Sequence, residues 1–120
     1  IDNYGHVNNA VYLNDLEECR DRLVEELFGT EEAWDFVLAH VSIDFRSELT
    51  QADGEVLVRC EVAGFGRSSV RTRERIEKRD GTVSAEAESV IVPRLRDGGS
   101  RPLTEREREV LQQATVSSRA

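Results

Sequence analysis

A chain of 120 residues is long enough for one domain with its own core and too short for two. With 38% apolar and 33% charged residues it reads as globular, and a formal net charge of -8 argues against general nucleic-acid affinity. No apolar run approaches the roughly 20 residues of a membrane span, so no span is expected.

The sequence opens on a polar motif and holds no Met. We therefore expect it to begin inside the natural protein, with no signal peptide at its start. Residues 1–8 are loop-like, rich in Asn and Gly. From Asn9 to Phe28 the pattern is helical: Tyr12, Leu16, Cys19, Leu23 and Leu27 recur at spacings of three and four and share one face. Asn8 or Asn9 can cap the start of this helix and Gly29 can end it.

After Gly29 the period changes to two. Val37, Ala39, Val41, Ile43 and Phe45 alternate with more polar neighbours, as do Val56, Val58, Cys60 and Val62. Val70, Thr72 and Ile76 alternate with Arg71, Arg73 and Arg75, and Val83, Ala85, Ala87 and Ile91 with Ser84, Glu86, Glu88 and Val90. This predicts four half-buried strands. Turn chemistry separates them at 52–54, 64–66 and 79–81, where Asp80-Gly81 is a strong hairpin signal. Neighbouring strands should be antiparallel. Residues 103–114 predict a short helix with Thr104 as cap and Glu107 completing a capping box. Its charge density suggests a surface helix or a frayed one.

One long apolar helix followed by antiparallel strands predicts an α+β domain in which the sheet wraps around the helix. The core is expected within about residues 1–95, and the opposite sheet face carries His40, Asp44, Arg59, Arg71 and Arg73. That face is solvated or meets another subunit. The arginines from Arg67 to Arg79 either pair with Glu74, Glu77, Glu86 and Glu88 or offer a local attraction for a small polyanion. Cys19 and Cys60 read as small buried residues rather than a bridge, which suits a reducing cytoplasm. Two distant histidines give no metal-ligand spacing, so neither a metal nor a cofactor is expected.

The densest chemistry is Asp2, Gly5, His6, Asn8 and Asn9, just ahead of the long helix. The free N-H groups of a helix start can hold a developing oxyanion. Asp2 can then act as a general base on water or attack a carbonyl itself. Ordinary capping and turn formation account for the same residues equally simply.

The stretch Asp2-x-x-Gly5-His6-Val7-Asn8-Asn9-x-x-Tyr12-Leu13-x-x-x-Glu17-x-x-Arg20 resembles the signature of hotdog-fold acyl-CoA thioesterases of the 4-hydroxybenzoyl-CoA thioesterase type. A similar Asp-x-x-x-His-Val-Asn-Asn stretch occurs in plant acyl-carrier-protein thioesterases. The likeness continues through Ile43-Asp44-Phe45, Gly54-Glu55, residues 66–69 and Ala85-Glu86-Ala87. It implies a hotdog fold whose first strand precedes Ile1, and hydrolysis of an acyl thioester of CoA or a carrier protein. It further implies a homodimer, or a dimer of dimers, with sites at the subunit interface. Asp2 matches the catalytic carboxylate, Gly5 the tight turn and the Asn9 N-H the oxyanion donor. Some relatives carry a catalytic His where this chain has Asn9, which leaves His6 either in acid-base work or in positioning the loop. Tyr12 is core or acyl-pocket wall. Glu17 lines the substrate site, holds the loop or pairs with Arg20. Arg67, Ser68 and Ser69 resemble the loop that approaches the CoA pantetheine and phosphates, and equally form a hairpin turn. Two rivals remain: a hotdog hydratase, whose motif has different spacing and a Pro missing here, and a non-catalytic acyl-CoA-binding domain.

Overall fold

A computed structural model describes residues 9–29, 35–46 and 56–119, with the side chains of 9–14 and 116–119 excepted. Helix α1 runs Asn9–Phe28, as the sequence predicts. It ends where Gly29 takes a φ of 89° and its N-H bonds the Glu25 carbonyl at 2.8 Å. Four strands follow: β1 Phe36–Phe45, β2 Leu57–Phe65, β3 Val70–Glu77 and β4 Val83–Pro93. They form one antiparallel sheet in the order β1-β4-β3-β2. The β3-β4 turn uses Gly81 at a φ of 89°, and Asp80 accepts a bond from the Thr82 N-H, as its Asp-Gly pair led us to expect. Helix α2 is Glu105–Arg119.

Helix α1 lies over β2 and β3. Its buried line is Leu16, Arg20, Val24 and Phe28, a strict spacing of four. Cys19, Leu23 and Leu27 flank that line, half-buried. The apolar stripe read from the sequence is therefore turned to one side of the true contact line, because an arginine occupies its middle. The core has two parts. Leu16 packs with Ile76, Ala85 and Ala87 near the start of α1. Val24 and Phe28 pack with Val62, Val70, Ile91, Leu103 and Leu111 near its end.

Two expectations are corrected. Strand β1 is not half-buried: Val37 is 41% and Phe45 48% exposed, with Leu38 and Val41 also open. It stands at the sheet edge, beyond the cover of α1. Nor is α2 a loose surface helix. Leu103 and Leu111 are buried, and the helix packs on β2 and α1. The core thus extends past residue 95, because charges on the outer turns conceal a narrow apolar line.

The predicted capping box is present. The Glu107 N-H donates to Thr104 Oγ1 at 3.1 Å and the Thr104 N-H to Glu107 Oε1 at 2.8 Å. Arg101 grips the same carboxylate with two bonds of 2.8 and 3.0 Å. Burial alone would raise the Glu107 carboxyl, but these donors outweigh it and hold it below its ordinary value of 4.5. A carboxyl lowered on folding stabilises above its unfolded value, and that contribution disappears as pH falls through the folded one. Glu107→Gln keeps the cap geometry but removes the charge. Urea unfolding should show wild type losing stability on acidification below pH 4.5 more steeply than Glu107→Gln. At neutral pH, Glu107→Ala should cost about 1–2 kcal/mol.

Candidate active site

Asp2, Gly5 and His6 lie outside the described residues, and the side chains of Asn9 and Tyr12 do too. The described backbone nevertheless fixes one feature of the site: α1 begins at Asn9. Its first-turn N-H groups have no partner within the helix and carry the positive end of its dipole. The polar motif of residues 2–9 runs in sequence directly into this helix start.

Glu17 is exposed and lines a groove of about 330 Å³ between α1 and β1. Val24, Phe36, Val37, Leu38 and Ile91 give this groove an apolar floor. Glu17, Asp21 and Glu25, one turn apart, give it an acidic rim. Burial, reinforced by the neighbouring Glu17 charge, pushes the Asp21 carboxyl up. The expected Glu17–Arg20 pair does not form. Arg20 Nη1 turns inward instead, to Glu74 Oε1 at 3.3 Å and Ser89 Oγ at 3.0 Å. Glu74 was expected among the surface partners of the arginines, yet it is fully buried, at 0% exposed. Thr72 Oγ1 and Ser89 Oγ also donate to its carboxylate, at 2.8 and 3.0 Å. No spacing rule reveals this cluster in the sequence. The only trace is that Glu74 shares its strand face with Thr72 and Ile76 rather than with the arginines.

Arg67, Ser68 and Ser69 form the turn between β2 and β3. The Gly66 N-H bonds the Ser69 carbonyl at 2.9 Å, so the hairpin reading holds. The turn is braced by the α2 segment. The Leu103 N-H donates to the Arg67 carbonyl, and Arg108, lying 5.5 Å over the Phe65 ring, donates to that of Gly66. Arg67 itself is exposed. Arg59, Arg73 and Arg75 on the outer face are taken up by Glu61, Glu77 and Glu86. Among the described residues, Arg67 and Arg71 make no ion pair, and His40 and Asp44 are exposed on β1.

The structure does not bring all the candidates together. Val70, next to the turn, packs with Val24 and Phe28 at the end of α1. Asn9 lies about 30 Å from Phe28 along the helix. Within one chain, the start of α1 at Asn9 and the Arg67 turn therefore lie toward opposite ends of the helix.

The thiols of Cys19 and Cys60 are free and half-buried. Burial pushes both up, and Cys60 further, so neither is an activated nucleophile. Among the described residues no cluster of His, Cys, Asp and Glu is placed to hold a metal, and no helix is long and apolar enough to cross a membrane.

Residues 1–114 match the Thioesterase-like superfamily, and the chain belongs to it. It is thus a thioester hydrolase of the hotdog fold. A thioesterase of Thermus thermophilus, solved with coenzyme A and zinc, is 33% identical, with 97% of this chain and 86% of that one covered and a TM-score of 0.82. YbaW of Escherichia coli, a probable thioesterase, is 27% identical over 96% of this chain and 90% of its own, at a TM-score of 0.76. A Staphylococcus aureus protein solved with CoA shares the fold at a TM-score of 0.84 and 14% identity, covering 97% of this chain and 77% of its own. No curated protein matches.

Glu17 is exposed and makes no ion pair with Arg20. Glu17→Gln should therefore leave unfolding free energy within about 0.5 kcal/mol of wild type. Urea titration checks this, and a larger loss would assign the side chain a structural partner.

Proposed function

We propose that this chain is an acyl-CoA thioesterase, releasing a free acid and CoA. The observation that carries the reading is the start of α1 at Asn9, immediately after the Asp2–Asn9 motif. The CoA bound to the Thermus and Staphylococcus proteins supports the choice of thiol.

The chemistry follows from this placement. The thioester oxygen would accept the Asn9 N-H, and the helix dipole would favour the charge that develops there. Asp2 would take a proton from water as it attacks the carbonyl carbon, or attack that carbon first and be freed by water. Either way the carbon–sulfur bond breaks and the CoA thiol leaves with a proton. Gly5 would let the loop turn tightly, and His6 would share the proton or hold the loop. The acyl group would lie along the apolar floor between α1 and β1, with Tyr12 and Glu17 at its wall. Arg67, with Ser68 and Ser69, would meet the CoA phosphates, supplying attraction that a chain of net charge -8 otherwise lacks.

A subunit partner fits this arrangement. Strand β1 leaves Val37, Leu38, Val41 and Phe45 exposed beside an open sheet edge, which a second copy would cover. A two-fold partner reverses the sheet ends. One subunit's Arg67 turn would then serve a ligand whose acyl end lies at the other's α1. We place the enzyme in the cytoplasm, as a homodimer or dimer of dimers, with acyl-carrier protein as an alternative thiol donor.

Free-thiol release across an acyl-CoA panel, on full-length protein, tests the activity. Asp2→Asn keeps shape and capping but neither takes a proton nor forms an anhydride, so turnover should fall by about 100-fold or more. Binding of a non-hydrolysable acyl-CoA analogue should persist. Turnover within a few-fold of wild type would reject Asp2 and reopen the hydratase and binding-domain readings. Raising ionic strength should raise KM, and Arg67→Ala should blunt that response. A KM indifferent to both would make the turn ordinary surface.

A further inference from the structure

We propose that Arg20 and Glu74 are positioning residues for hydrolysis: they set how far α1 slides along the sheet and hence where its Asn9 N-H stands. The role assigned to Asn9 rests on the function proposed above; the register itself does not. Arg20 is 6% and Glu74 0% exposed, so the pair is hidden from water midway along the contact between helix and sheet. Apolar packing lies on both sides of it, Leu16 with Ile76 toward the helix start and Val24 with Val70 toward its end. Such packing is non-directional and tolerates small slides. The polar cluster does not. Arg20 is bonded to Glu74 on β3 at 3.3 Å and to Ser89 on β4 at 3.0 Å, while Thr72 and Ser89 hold the carboxylate. Two strands thus fix one point of the helix by hydrogen bonds of narrow geometry.

Stability alone gives no reason for such a pair, since apolar side chains of similar volume often replace one without loss. A helix transmits axial displacement along its length. Movement at Arg20 reappears at Asn9, about 16 Å further on. Oxyanion donors act within a few tenths of an ångström, so a small slide costs turnover more than substrate affinity.

The test replaces the pair with Arg20→Met together with Glu74→Leu, alongside Glu74→Asp, which keeps both charges but shortens the reach. Crystal structures superposed on the sheet should show α1 displaced along its axis by about 0.5 Å or more in at least one variant. Turnover of the displaced variant should fall about tenfold or more, with KM within about twofold and Tm at or near the wild-type value. Glu74→Gln should lose both Tm and turnover, and the apolar pair should regain only Tm. Helices that superpose in both variants would overturn the proposal. So would a displaced helix with undiminished kcat, or turnover that returns in step with Tm. If wild type hydrolyses no acyl thioester, the functional reading fails, while the displacement still decides whether the pair sets the register.

Discussion

The helix and the sheet of the described fold meet around a fully buried carboxylate. Glu74 sits on the inner strand β3, and its own strand, the neighbouring β4 and the helix above all contribute hydrogen-bonding groups to it. Removing a charge from water costs several kcal/mol unless a partner and further hydrogen bonds compensate. Here they do, with a guanidinium and two hydroxyls around one carboxylate. The arrangement needs Ser89 and Thr72 where a sheet facing an apolar helix would ordinarily carry valine or isoleucine. It also divides the core into two apolar clusters instead of one. The two clusters hold α1 down, and the polar centre decides where along the sheet it is held.

That centre explains which parts of the fold were legible in the sequence. Local chemistry was: the extent of α1, its Gly29 stop, the Asp80-Gly81 turn and the Thr104–Glu107 box each depend on residues a few positions apart. Arg20 was not, because an arginine on a helix reads as solvent-facing and moves the apparent apolar face to Cys19, Leu23 and Leu27. Glu74 was hidden among arginines of the same strand, although its face was readable from period two. The alternation of β1 shows which residues share a face but not that the strand lies at the sheet edge, which only the strand order reveals. The candidate site stands in the sequence as a motif. Of its residues, Asp2, Gly5 and His6 fall outside the described part of the chain, so their roles rest on the family likeness and on the start of α1.

The outer face shows the opposite treatment of charge. Arg46, Glu86, Arg75, Glu77 and Arg59 follow one another from the end of β1 to β2, at 2.9 to 3.7 Å. Pairs this exposed contribute little each, about 0–1 kcal/mol, and are screened by salt. Their effect is to neutralise the face locally and leave few cations uncommitted. Arg67, at the turn braced by α2, and Arg71 are two that make no ion pair among the described residues.

Among the described residues, the two edges of the sheet differ in the same terms. Strand β2 brings Arg59 and Glu61 to its margin, in a groove shared with Arg73, Arg75 and Glu77. Charges at an edge discourage unplanned pairing with another sheet. Strand β1 brings Val37, Leu38, Val41 and Phe45, with His40, Ser42 and Asp44 among them to resist desolvation. An exposed apolar edge is a liability in an isolated chain and an asset in an assembled one. The groove carrying the apolar floor opens on this same side, between α1 and β1. In the proposed dimer, the contact that covers β1 would therefore also close the acyl groove. Assembly and substrate enclosure would then be one event, driven by the same buried apolar surface.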